Sequence, residues 1–157
     1  MFIRHLIVLA ALTCSSLAYA GQTGVDRSFT LFKNIDSTDP TQPTIINTVT
    51  VVCPAAGTLI SNVSAQITLA TSGAAGEVDL QYGITKNSVK QDINNHHIIR
   101  EYTDSGTTWS SVSYQRADNC TAGQTVKIRF LANKISANAA DAEKSSLVVT
   151  FFEGPVI

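Results

Sequence analysis

The chain has 157 residues, a formal net charge of −1 at pH 7, 44% hydrophobic residues and three cysteines. This length fits one domain, and the near-neutral charge excludes the basic excess with which proteins bind nucleic acid phosphates. The first twenty residues differ from the rest in composition, so the remaining chain is considered separately.

The amino terminus has the pattern of a secretory signal peptide. Arg4 and His5 precede an apolar stretch over residues 6–12, and small residues follow up to Ala20. A basic start, a short apolar region and an A-x-A ending define such a signal, whereas the apolar stretch is too short to span a membrane. The sequence therefore predicts cleavage near Ala20 and one exported domain over residues 21–157, located outside the cell, in the periplasm or at the cell surface.

The composition of residues 21–157 favours β-sheet. The segment contains 12 Ile and 12 Val against 6 Leu, and 30 of its 137 residues are Ser or Thr. β-branched side chains fit a pleated sheet and lose rotamer freedom in a helix. The domain is therefore predicted to be all-β, and it contains no second apolar run that would suggest a transmembrane segment.

Eight segments have the content or the alternation of strands. In chain order they are residues 28–32, 45–52, 58–69, 78–84, 98–102, 112–116, 126–132 and 146–152. The clearest alternation runs from Leu59 to Leu69, where one face is mainly apolar and the other mainly polar, which indicates a half-buried strand. Turn-rich segments separate the strands at 36–43, 71–76, 103–111 and 133–145, and the last is predicted to hold at most a short helical turn.

Short strands at this spacing, without amphipathic helices between them, predict an antiparallel β-sandwich of the jelly-roll type.

Removal of the predicted signal peptide, which contains Cys14, leaves two cysteines. The alternative for Cys14 is a lipid anchor, although Ala11-Leu12-Thr13 before it is a poor lipobox. Cys53 and Cys120 each precede a glycine turn that leads into an alternating strand. If those strands start at the same end of the sandwich, the two cysteines form a disulfide, which persists in exported proteins.

The order of features resembles the C1q and tumour-necrosis-factor-like jelly-roll superfamily. An apolar strand leads through Pro54-Ala55-Ala56-Gly57 into a long alternating strand, Ala122-Gly123 starts another, and the chain ends on the apolar segment 147–154. The resemblance covers about residues 28–154 and implies a module that binds or builds structures and often forms trimers. The sequence departs from the family in having few aromatic core residues and no collagen-like stalk, and no ligand residue of the family can be placed on it.

Metal binding has one weak candidate cluster. Asp92, Asn94, Asn95 and His96 lie within five positions, and Asp104 and Asp118 could approach from other loops. Carboxylate and amide oxygens suit calcium, but the D-x-D-x-D-G order of a calcium loop is absent. The sequence therefore predicts no cofactor, with calcium as the alternative.

Carbohydrate binding has a second candidate cluster. Tyr102, Asp104, Trp109 and Tyr114 lie close in sequence, and aromatic rings pack against sugars while polar groups bond their hydroxyls. The alternative interpretation is that Trp109, the only tryptophan, caps one end of the core.

Catalysis has no clear candidate. The motif G-x-S-x-G is absent, and the adjacent His96 and His97 would point to opposite faces of a strand. The first hypothesis is therefore a secreted, non-enzymatic structural or interaction module that forms homo-oligomers, with Phe151 in the core and Phe152 at an interface, or the reverse. The alternatives are a carbohydrate-binding module, a fimbrial-type fibre subunit and, last, a hydrolase. Asn62 and Asn119 begin N-glycosylation sequons.

Overall fold

The computed structural model describes residues 22–73, 75–92, 96–104 and 106–154. The predicted signal peptide lies outside these residues. Over the described ranges the chain forms eight strands and no helix, so no helix there could cross a membrane. The strands are β1 (Gln22–Asn34), β2 (Thr44–Val52), β3 (Gly57–Ala70), β4 (Gly76–Lys86), β5 (His96–Thr103), β6 (Thr107–Cys120), β7 (Thr125–Lys134) and β8 (Ala139–Glu153).

The strands form two four-stranded antiparallel sheets. Sheet A has the order β1-β8-β3-β6, and sheet B has the order β2-β7-β4-β5. Every connection crosses between the sheets except the one from β4 to β5. This is the strand order of a jelly roll, a double-sheet fold of two Greek keys. The predicted all-β, jelly-roll-like sandwich is confirmed.

The core consists of the inward rows of both sheets. On β3 the residues from Leu59 to Leu69 alternate between buried and more exposed, as predicted from their sequence. Val126, Ile128 and Phe130 on β7 form a fully buried row in the other sheet. Each large aliphatic side chain removed from water contributes about 1.5–3 kcal/mol, so these rows hold the two sheets together.

Cys53 and Cys120 form the predicted disulfide, with their Cα atoms 6.3 Å apart. β3 begins opposite Cys120, and β7 begins just after it, so both strands start at one end of the sandwich as expected. The backbone of Cys53 also bonds the turn before β7, where its N–H donates to the Gln124 carbonyl at 2.9 Å. The bridge therefore connects the end of sheet A to the connection that leaves sheet B.

A close backbone approach beside the bridge requires glycine at position 57. A Cβ atom at Gly57 would lie 2.8 Å from the Phe151 ring and would also collide with the carbonyl oxygen of Phe152. Phe151 is buried and Phe152 is half-buried on the opposite side of β8. The predicted separation of the two phenylalanines onto opposite faces is thus confirmed.

The prediction of a turn with helical character over residues 133–145 is wrong, because β8 already begins at Ala139. A bulge conceals this strand in the sequence. Lys144 has a positive φ of 47°, and one extra residue of β8 is inserted opposite β3 at this point, which is the geometry of a β-bulge. The inward row therefore changes from Ala140 and Ala142 to Ser145 and Leu147, and the small side chains give a weak apolar pattern.

β6 also extends further than predicted. Residues 107–111, expected to form part of a loop, pair with the end of β3. Ser110 and Thr108 supply the inward row there, so hydroxyl groups replace the apolar side chains that would have indicated a strand.

We expect the double variant C53A/C120A to unfold at a lower temperature than the wild type. Opening a loop of this length removes about 4 kcal/mol in the chain-entropy account. A reducing agent should lower the melting temperature of the wild type and leave that of the double variant unchanged. Labelling of free thiols on both cysteines of the exported, non-reduced protein would contradict the bridge.

Candidate functional site

The four residues predicted to bind carbohydrate do not converge on one cleft. Tyr102 is 67% exposed on the outer face of sheet B, and Trp109 is 61% exposed on the outer face of sheet A. Between the sheets, the Ser110 hydroxyl donates to Glu101 at 2.8 Å. Because neighbouring side chains in a strand point to opposite sides, this contact places Tyr102 and Trp109 on opposite surfaces.

The other two candidates are separated from them as well. Tyr114 points inward, and its ring centroid lies 4.4 Å from that of His97, which also stacks on Tyr82. Asp104 is exposed in the connection between β5 and β6. The alternative interpretation of Trp109 is wrong, since its exposed ring lies outside the core and cannot cap it.

Two of the three carboxylates of the calcium candidate cluster are bound to an arginine. Arg116 donates from Nε to Asp118 at 2.9 Å and from Nη1 to Asp92 at 3.1 Å. A second bond from Nη2 makes the Asp118 contact bidentate. Burial lowers the pKa of Arg116, but the hydrogen bonds and charges of Asp118 and then Asp92 outweigh this, so its pKa is raised.

The other members of this cluster do not complete a metal site. His96 places Nδ1 3.3 Å from the backbone oxygen of Asp92, and Asn94 and Asn95 lie outside the described residues. Asp104 follows the far end of β5, about 25 Å along the strand from His96. Within the described ranges no three metal-binding side chains form a group.

A surface that the sequence did not nominate lies on the edge strand β1. Val25, Phe29, Leu31 and Phe32 are 48%, 61%, 71% and 56% exposed, and we call them the β1 stripe. The exposed Arg27 lies between Val25 and Phe29 in the outward row, and the last two residues of the stripe follow where β1 passes the bulge of β8. β1 ends the order of sheet A, so no described strand pairs with its free edge. The alternation of apolar and polar residues along β1 is visible in the sequence, but the apolar row of a strand would normally be assigned to the core.

The inward row of β1 is polar. Ser28 and Thr30 are half-buried, and they accept hydrogen bonds from the Asn47 side-chain amide at 3.4 and 3.0 Å. Thr30 in turn donates to the backbone oxygen of Ile46. These bonds hold β1 beside β2 with the hydroxyl row inward, and the apolar row is therefore left in solvent.

The other half of the outer face of sheet A is polar and uncharged. The outward side chains of β3 and β6 form what we call the neutral face. They are Thr58, Ile60, Asn62, Ser64, Gln66, Thr68 and Ala70 on β3, and Thr107, Trp109, Ser111, Ser113, Gln115, Ala117 and Asn119 on β6. Gln115 donates to Asn62 at 2.8 Å across the two strands. Both sequon asparagines, Asn62 and Asn119, are exposed on this face, as the alternation predicted for Asn62.

The outer face of sheet B is charged by comparison. Arg100 lies between two carboxylates, with Nε 3.0 Å from Glu77 and 3.1 Å from the largely buried Asp79. The hydrogen bond and charge of Asp79, followed by the charge of Glu77, raise the pKa of Arg100. The absence of charge on the neutral face is therefore a property of that face and is not shared by the second sheet.

No family model matches the chain, and no curated protein matches it. Among solved structures the chain is similar to the C-terminal domain of EclA, a sugar-binding protein, with 8% identity, a TM-score of 0.40 and 88% of each chain covered. It is similar to Eiger TNF from S. frugiperda, with 11% identity, a TM-score of 0.39, and 88% of this chain and 91% of that chain covered.

A third similar structure is the CBM22-1 xylan-binding domain of Xyn10C from Paenibacillus barcinonensis, with 12% identity, a TM-score of 0.35 and 85% of each chain covered. Likeness at these identities and TM-scores indicates no ligand or activity for this chain. The jelly-roll assignment rests on the strand order itself.

We expect Arg116→Ala to destabilise the fold by about 2–3 kcal/mol, because it leaves the nearly buried Asp118 carboxylate without its partner. Urea denaturation measures the loss, and Lys127→Ala, at an exposed position on β7, is the control with an expected change within about 0.5 kcal/mol. Adding Asp118→Asn to the Arg116 variant should recover part of the loss. An Arg116 variant as stable as the wild type would contradict the role of this network.

We expect calcium to leave the melting temperature of the wild type unchanged, since Arg116 already binds the carboxylates of Asp92 and Asp118. A calcium-dependent rise that disappears in Asp92→Asn would contradict this expectation.

Proposed function

We propose that this protein is a secreted, non-enzymatic interaction module that associates with copies of itself through the β1 stripe. The observation that carries the proposal is the exposure of four large apolar side chains, Val25, Phe29, Leu31 and Phe32, on one edge strand. Contiguous exposed apolar surface on soluble proteins marks interaction sites. The resemblance to trimer-forming jelly rolls makes a trimer the first assembly to test for.

The edge position of the stripe supports association. Natural proteins protect exposed sheet edges with proline, inward-pointing charges or short strands. β1 is a long strand of 13 residues without proline, so two of these three protections are absent; the third is present, since Asp26 and Lys33 lie opposite the buried Val149 and Ala142 on the inward side. Half-buried Phe152 and Val148 on the adjacent β8 extend the apolar surface beyond β1.

The environment of the two described histidines supports a non-enzymatic role. His97 packs against the rings of Tyr82 and Tyr114, and His96 approaches the backbone of Asp92. Within the described ranges, these contacts do not place either imidazole as a base beside a serine or cysteine nucleophile, which is what covalent catalysis requires.

The signal-peptide pattern supports export. The Cys53–Cys120 bridge also supports it, because disulfides persist in oxidising compartments. The fibre-subunit alternative shares both features, and it would produce an open assembly rather than a closed one.

We expect the purified domain to have a mass above that of a monomer in light scattering, and the variant F29S/L31S to be monomeric. Replacing two exposed apolar side chains removes association energy and leaves the core intact, so the melting temperature of the monomer should stay close to that of the wild type. Val89→Ser with Ile135→Ser is the matched control, because both residues are exposed apolar side chains outside the stripe, and this variant should assemble like the wild type.

A wild-type protein that stays monomeric at the highest soluble concentration would overturn the proposal. Assembly that persists unchanged in F29S/L31S would place the interface elsewhere and would overturn the role of the stripe.

A further inference from the structure

We infer that the neutral face binds an uncharged polyhydroxylated chain, that is, a neutral polysaccharide. The inference goes beyond the proposed self-association and uses a different part of sheet A. Of the residues that the sequence nominated for carbohydrate binding, only Trp109 belongs to it.

The charge pattern of the neutral face favours an uncharged ligand. None of the fourteen outward positions of β3 and β6 is charged, although solvent-facing surfaces ordinarily carry many charged residues. The centre of a binding surface is depleted of charged residues because each would have to lose its hydration. On the adjoining β8, Asp141 lies opposite Thr68, and Thr68 donates to Glu143 at 3.1 Å, so the Trp109 end of the face borders two carboxylates. The side chains of the face itself suit an uncharged ligand and offer no positive charge to an anionic one.

The side chains of the neutral face match the hydrogen-bonding capacity of sugar hydroxyl groups. Five exposed side chains of the face can each both donate and accept hydrogen bonds, and they are Asn62, Ser64, Ser111, Ser113 and Gln115. Hydroxyl groups of a sugar have the same dual capacity, so either partner can supply the proton at each contact. The bond from Gln115 to Asn62 fixes the orientation of both amides before a ligand arrives.

Trp109 gives the neutral face an exposed aromatic ring. Its indole is 61% exposed at one end of the face, opposite Thr68 on β3. An exposed indole supplies a large, rigid apolar platform together with an N–H donor. The C–H faces of a sugar ring can cover this platform while the ring hydroxyls reach the neighbouring polar row.

The neutral face is long enough to contact several sugar units. β3 and β6 pair without interruption from Gly57 opposite Cys120 to Ala70 opposite Thr107. Fourteen residues at about 3.3 Å each extend over about 45 Å, with equivalent outward side chains repeating at every second residue. A long face of repeating hydrogen-bonding groups fits an extended chain of several sugar units better than a single sugar.

The test is affinity electrophoresis in gels that contain a soluble neutral polysaccharide, with one β-glucan, one xylan and one galactomannan as probes and polygalacturonate as the charged comparison. We expect at least one neutral polysaccharide to retard the wild-type protein and polygalacturonate to leave it unretarded. Trp109→Ala and Ser113→Asp should each weaken the retardation by about tenfold or more, as truncation of a binding hot spot does.

Matched controls are available on the other sheet. Tyr102→Ala removes an equally exposed aromatic ring from the outer face of sheet B, and Thr50→Asp introduces a charge at an exposed position of β2. Both variants should be retarded like the wild type, and all four should keep the wild-type melting temperature. The stripe variant F29S/L31S should still be retarded, which separates this inference from the proposed self-association.

Three outcomes would overturn the inference. They are an absence of retardation by every neutral probe, a loss of retardation with Tyr102→Ala but not with Trp109→Ala, and a change of assembly mass in Ser113→Asp. The last would show that the face contacts a second copy of the chain rather than a polysaccharide.

Discussion

The rest of the structure depends on the burial of the inward row of β3 between the two sheets. β3 pairs with β6 on one side and with β8 on the other, and Leu59, Ile67 and Leu69 on its inward row have no exposed surface. Because side chains alternate along a strand, a shift by one residue would place this entire row in solvent. The register that forms the core therefore also determines which side chains form the outer face of sheet A.

The sequence predicts the strands well where side chains alternate regularly and the inward ones are apolar. On β3 and β7 the period alone identifies the buried row. Alternation does not reveal which face of an edge strand points inward, so Phe29 would be assigned to the core, whereas Asn47 holds the hydroxyl row of β1 there instead. The bulge at Lys144 interrupts the period within β8. The sequence grouped Tyr102 with Trp109 because they are close along the chain, but they end on opposite sheets.

The outer face of sheet A has two halves of different chemistry. The β1–β8 half contains the apolar β1 stripe together with the charged Arg27, Asp141 and Glu143, and it suits contact with another copy of the chain. The β3–β6 half is uncharged and suits a neutral polysaccharide. Association through the first half would hold several neutral faces in fixed relation to one another. When several weak sites bind one long chain at the same time, the overall affinity is higher than that of each site alone. Self-association would therefore strengthen polysaccharide binding without any new contact.

Hydrogen–deuterium exchange of the backbone amides tests the division of this face most directly. Raising the protein concentration should slow exchange in β1, and adding a neutral polysaccharide should slow exchange in β6, while the outer strands of sheet B should exchange at the same rate throughout. Protection of β5 or β2 by the polysaccharide, or exchange in β1 that does not change with concentration, would contradict the account.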